Sequence, residues 1–189
     1  MSRLPYFWWF CLPLYKKEIE IHKILSSPEH NYFTREKFDV GSSPTYEHTS
    51  IKITKAQGIA GDRFEFSKYP LTLFALEVAN EVCSALEIDL DLKIFRRNII
   101  VSGVNLNALI GKRFRLNGVE FQGVSHCAPC TWMNAVMKKG AFDLMRGRGG
   151  LRIEALSDGE LQLGKGVLES EAEFDINPLT PLKRPKIPK

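Results

Sequence analysis

The chain has 189 residues, 44% of them hydrophobic and 25% charged, which suits one soluble globular domain and is short for two. A collagen-like, wholly disordered or polytopic membrane chain is excluded. The formal charge of +4 is partly gathered in the closing PLKRPKIPK, so the body carries no basic footprint for nucleic acid. Four cysteines without disulfide-like spacing favour a reducing, cytoplasmic setting.

Residues 1–16 open as an apolar aromatic run, MSRLPYFWWFCLPLYK, interrupted by Pro5 and Pro13. It is shorter than the roughly 20 residues of a spanning helix and reads as an N-terminal extension. A packed segment, a membrane-surface contact and an export signal all fit it. Glu18–Leu25 alternates polar and apolar and predicts a half-wet strand. A loop follows to Tyr46, then a short strand at Ile51–Thr54. Thr72–Leu86 places Leu73, Leu76, Ala79, Val82, Cys83 and Leu86 at helical steps and predicts an amphipathic helix. Glu77, Glu81 and Glu87 would form its wet face. Ile99–Val101 is a short apolar strand.

Asn117-Gly118 and Asp158-Gly159 each sit between apolar runs and predict two hairpins, because these residues tolerate positive φ. Between them lie a Cys-bearing loop, a helix from Trp132 to about Lys138, another around Phe142–Met145, and the link Gly147-Arg148-Gly149-Gly150. From residue 169 the chain reads as a flexible Pro/Lys-rich tail. Many short strands, turn chemistry and few helices predict a mostly β, barrel-like single domain over residues 17–168.

The cluster that asks for chemistry is His126-Cys127-Ala128-Pro129-Cys130. Two thiols three positions apart, with a helix expected next, would place Cys130 where a helix N-terminus favours thiolate. A thiolate can carry a persulfide, attack an electrophile, ligate a soft metal or pair with its neighbour. Two buried, inert cysteines are the plainer reading. Structural zinc lacks a second ligand pair, and His-Cys-x-x-Cys is not the order of haem attachment. Cys83 falls on the core face of its helix, and Cys11 lies in the extension.

A second set combines cations with glycines: the Gly58–Arg63 segment, Arg96-Arg97-Asn98, and Arg148 within the Gly-rich link. Arginine forks and open backbone N–H groups suit an anion, although turns with surface arginines explain any one segment alone. His30, in a polar loop, is a further candidate.

The run FRRNIIVSGVNLNALIGKRFRLNGVEFQGVSHCAPCTWM resembles the MOSC domain, the C-terminal domain of molybdenum cofactor sulfurases. GIAGDRF upstream and GRGGLRIEALSDGELQLG downstream resemble the same family in order and spacing, from about Lys17 to Gly166. The chain is most similar to small stand-alone members, without the pyridoxal-phosphate desulfurase part, so pyridoxal phosphate is not expected. The resemblance implies a β-barrel and a role with molybdenum cofactor (molybdopterin) or with sulfur transfer. It places Cys130 as the cysteine that carries persulfide or ligates molybdenum, with Cys127 as its neighbour. It sets Arg63, Arg97 and Asn98 near the cofactor's anionic end, and His30-Asn31-Tyr32 in an early site loop.

Three functions stay open. One is a cofactor-binding or sulfur-carrying module served by a sulfur donor protein. Another is a molybdenum-dependent oxidoreductase acting on N-oxygenated substrates, with electrons from a separate protein. The last is a metal-free Cys127–Cys130 redox pair.

Overall fold

Alternation builds the first strand as expected: β1 (Tyr15–Ser26) buries Ile19 and Ile21 and leaves Glu18 and Glu20 in water. The protein, seen in a computed structural model, is described over residues 15–31, 40–171, 173 and 177–183. The further strands of the main sheet are β2 (Tyr46–His48), β4 (Leu71–Ala75), β5 (Ile99–Ser102), β6 (Arg113–Leu116), β7 (Val119–His126), β8 (Leu151–Ala155) and β10 (Gly164–Ser170). Their order is β10-β6-β7-β8-β4-β5-β1-β2, and β10 also pairs with β1. Seven strands therefore close a barrel, and β2 extends β1 at the rim. Closure leaves the ring without an open edge. β3 (Ser50–Ile53) and β9 (Gly159–Gln162) form a separate two-stranded ribbon.

Among the ring contacts, β4–β5 is parallel and the others are antiparallel. A parallel pair needs a crossover, and α1 (Leu76–Leu86) supplies it, followed by a 3-10 turn at Leu92–Phe95. Val78, Ala79, Val82, Cys83 and Leu86 are the buried face of α1. Glu87 ends the helix in a left-handed conformation, its N–H reaching Cys83 O and Ser84 O.

The helix predicted from Thr72 thus starts later, because Leu71–Ala75 is strand. All five of those residues are buried, and a strand buried on both faces has no alternation to distinguish it from a buried helix. The expected helices near Trp132 and Phe142 exist as single turns, α2 (Met133–Val136) and α3 (Ala141–Leu144).

Of the two predicted hairpins, one forms. β6 and β7 meet across Asn117 and Gly118, both at positive φ (49° and 83°), the combination a type I′ turn demands. Asp158-Gly159 makes no hairpin. β8 is already paired on both sides, by β4 and β7, so the following strand, β9, pairs with β3 instead. Asp158 Oδ1 accepts from Lys55 N at 2.7 Å, steadying that departure.

The largest fully buried side chains include Phe74, Phe95, Phe121, Ile21 and Ile24, which fill the barrel and its α1 side. Residues 177–183, expected within the flexible tail, return to the barrel: Leu182 N donates to Gly147 O at 2.8 Å, and Asn107 Nδ2 reaches Thr180 O. Residues 1–14, with Cys11, lie outside the described residues, and β1 already includes Tyr15 and Lys16. Among the described residues, no helix is long and apolar enough to cross a membrane.

Candidate cofactor pocket

The GIAGDRF segment is held from below by a buried carboxylate. Asp62 Oδ2 accepts from Ser27 N (3.0 Å) and Asn98 Nδ2 (3.1 Å), while Oδ1 accepts from Phe64 N (3.0 Å). Asn98 is wholly buried. Its Oδ1 accepts from Thr72 N and Thr72 Oγ1, its own N donates to Thr72 Oγ1, and its Nδ2 also reaches Leu25 O. Strands β1, β4 and β5 and the Asp62 loop are thereby tied at one point. Asn98 itself does not line the pocket above; it anchors the neighbours that do.

That pocket has a volume of about 510 Å³, within the roughly 300–1,000 Å³ usual for small-molecule sites. Arg63, Lys68, Arg96, Arg97 and Arg152 line it, and among the described residues no Asp or Glu does. Arg63 Nη2 donates to Arg96 O at 2.6 Å, and Nη1 lies 3.4 Å from Asp62. Burial, then the neighbouring Arg96 and Arg97, pull the Arg63 pKa down to about 10, against the opposing pull of Asp62 and Cys127. It remains a cation at neutral pH. Arg96 donates to Ser43 O, Thr45 Oγ1, Ser27 Oγ and Glu29 O, closing the loop that carries His30 against the barrel. Burial lowers its pKa too.

His30 lines the same pocket and meets Phe64 edge to face, 5.5 Å between centroids. Burial first, then the charges of Arg63 and Arg96, lower its pKa to about 4. It is therefore a neutral imidazole at physiological pH. Asn31 is buried beside it and accepts from Ser43 N at 2.8 Å; Tyr32 lies outside the described residues.

The cysteines sit across from these cations. Cys127 is buried and Cys130 half-buried, both free thiols on the pocket wall. Their loop is clipped by the Gly-rich link: Cys127 N donates to Gly150 O (2.8 Å), Gly149 N donates to His126 Nε2 (3.1 Å), and Arg97 Nε donates to Gly149 O (2.9 Å). A Cβ on Gly149 would lie 2.3 Å from Cys127 O and 2.8 Å from Pro129 Cδ, so the two loops can approach this closely only at glycine. The helix expected to start at Cys130 is one turn long, with Met133 N on Cys130 O at 3.0 Å. Its dipole is correspondingly small, and the arginines are the larger source of positive field. Trp132, also buried, presents an indole N–H with no partner among the described residues.

The fold thus brings Cys127, Cys130, Arg63, Arg97 and His30 to one pocket, from segments up to a hundred positions apart. Arg148 is not among them. It turns towards α1, donating to Glu81 Oε1 and Leu144 O at 2.7 Å each, so Glu81 is a partner rather than only a wet face. Lys68, Tyr69, Arg152 and Trp132 are pocket residues that sequence reasoning missed. Lys68 lies in a loop with no motif around it, and Arg152, on a strand, belongs to the GRGGLRIEALSDGELQLG block, whose resemblance does not by itself say which side chains face the pocket.

No curated protein matches the chain. Among solved structures, the YuaD protein of Bacillus subtilis superposes with a TM-score of 0.68 at 14% identity, covering 85% of this chain and 100% of that one. YiiM of Geobacillus stearothermophilus gives 0.61 at 12% identity, covering 86% and 79%. YiiM of Escherichia coli gives 0.54 at 14%, covering 83% and 73%. These likenesses establish the fold. The family model of the MOSC domain matches residues 53–168, more than half of the sequence and including the Asp62 anchor, the arginines and both pocket cysteines: the chain belongs to the MOSC domain family.

Proposed function

We propose that the protein binds molybdenum cofactor in this pocket, with Cys130 as the thiol that meets it or that carries sulfur as a persulfide. The observation that carries the reading is a cavity whose wall, among the described residues, holds five cations and no carboxylate, beside a half-buried thiol. The residues fit the group: arginine forks match a phosphate, the partnerless Trp132 N–H is a donor in the wall, and Cys130 is a soft ligand. Among the described residues no three His, Cys, Asp or Glu side chains gather as a metal site, so a cofactor with one protein thiolate suits the pocket better than a bare ion. Arg63 and Arg97 would hold its anionic end, and Asn98 keeps Asp62 and Thr72 in place beneath them. When bound, the cofactor supplies a redox-active molybdenum capable of oxygen-atom exchange. Neutral His30 can accept a proton at its edge.

Two uses of the site follow. As a sulfur carrier, the Cys130 thiolate attacks the outer sulfur of a donor protein's persulfide, forming its own persulfide as the donor's cysteine thiolate leaves; as an oxidoreductase on N-oxygenated substrates, the protein draws electrons from a separate partner. Cys127 lies deeper than Cys130, which favours Cys130 as the acting thiol in both. Metal analysis of protein from a host that makes the cofactor is the test. Molybdenum in the wild type and its loss in Cys130→Ala support cofactor ligation. No molybdenum in either refutes it, and a mass gain of one sulfur on Cys130 then identifies the carrier.

A further inference from the structure

The five cations that line the pocket among the described residues divide into two groups. Arg63, Arg96 and Arg97 are committed to protein acceptors: Arg63 to Arg96 O, Arg96 to four loop oxygens, Arg97 to Gly149 O and Phe95 O. Lys68 and Arg152 differ. Among the described residues neither side chain has a hydrogen-bond or ion-pair partner, and each instead lies against the ring of Tyr69: Lys68 Nζ is 5.4 Å and the Arg152 guanidinium 5.9 Å from its centroid. Such contacts hold a cation near a ring without neutralising it.

Tyr69 precedes Pro70, which biases it to extended geometry just before β4. Arg152 sits on β8 opposite Thr72 of β4 and Ser125 of β7, one register step from the Leu151–His126 pair that leads into Cys127. The uncommitted cations therefore meet at one aromatic ring, and Arg152 stands on the strand paired with the one that leads into the cysteine loop.

We propose that Lys68 and Arg152, spaced by Tyr69, form a clamp for the substrate, and that this substrate is a small organic anion bearing a carboxylate or phosphate. This deepens the cofactor reading of the same pocket and rests on it. The committed arginines serve the resident group, and the two uncommitted cations receive the exchangeable one. Charge-assisted pairs to a carboxylate or phosphate from both cations account for selection against neutral compounds.

Calorimetric titration with phenyl phosphate tests this on the full chain from a cofactor-making host. Wild type, Lys68→Gln and Arg152→Gln are compared with Lys165→Gln, a control on the β10 side of the barrel, with molybdenum measured in each. The expected result is about a tenfold rise in Kd for each clamp variant, the loss of roughly one charge-assisted contact, with Lys165→Gln and the molybdenum content unchanged. No binding by the wild type, or clamp variants that bind as tightly as the wild type, overturns the proposal. Loss of molybdenum from the clamp variants also overturns it, since the two cations would then hold the cofactor. A wild type without molybdenum whose clamp variants still bind phenyl phosphate weakly sinks the cofactor reading and leaves the anion clamp standing.

Discussion

Asn98→Ala separates an anchoring role from a ligand-binding one. Asn98 is fully buried, so its lost carboxamide cannot be replaced by bulk water. The substitution strands Thr72 N, which donated to Oδ1 at 3.1 Å, and removes the Nδ2 donor from Leu25 O (3.2 Å) and Asp62 Oδ2 (3.1 Å). Thr72 Oγ1 keeps the Asn98 N–H, and Asp62 keeps Ser27 N, Phe64 N and Arg63. Two backbone groups and one carboxylate oxygen are thus under-satisfied. At about 1–3 kcal/mol for a buried orphan, with partial relaxation, the cost is about 3 kcal/mol. Against a domain stability of roughly 5–15 kcal/mol this is large but survivable. With an m-value of about 2 kcal/mol/M, the urea midpoint falls by about 1.5 M. Asn98→Asp should cost more, because it brings a second carboxylate against Asp62 in a buried site. Urea unfolding followed by circular dichroism measures both. A midpoint shift under about 0.3 M for Asn98→Ala would refute the anchor, and Asn98 would then be better read as a ligand contact.

Other expectations concern the pocket and its surroundings. His30 has its pKa lowered from 6.5 to about 4, so the folded state binds fewer protons than the unfolded one between those values. Its contribution is complete above pH 6.5 and lost as pH falls towards 4; the melting temperature should drop on acidification, and drop less steeply in His30→Asn. Identical slopes for the two proteins would show that His30 is not the titrating group. Cys83→Ala, on the buried face of α1, should cost about 1 kcal/mol by leaving a small void, with wild-type molybdenum content. Arg97→Ala should lower cofactor retention by removing a cation and unclipping Gly149, whereas Arg148→Ala should retain it fully. Equal loss in both would contradict the separation of Arg148 from the pocket. Gly149→Ala should destabilise the cysteine loop through the 2.3 Å approach to Cys127 O, which differential scanning calorimetry would register as a lower melting temperature.

Local chemistry settled much of this protein in the sequence itself. Alternation in Glu18–Leu25 encodes β1, Asn117-Gly118 encodes the β6–β7 turn by its tolerance of positive φ, and the three blocks around the cysteines identify the family and its barrel. These are short-range properties, carried by neighbouring residues whatever the rest of the chain does. Tertiary structure decided what depends on partners. Leu71–Ala75 is strand rather than helix because both its faces are covered, and covering is not a property of those five residues. Asp158-Gly159 makes no hairpin because β8 has no free edge to offer. Arg148, equal to Arg97 as a residue type beside glycines, turns to Glu81 because the link leaves the pocket there. Lys68 and Arg152 meet at Tyr69 only because β4 and β8 are adjacent, a pairing of segments about eighty positions apart that no local pattern announces. Which cations face the pocket, and which of them are already bonded, is set by barrel closure.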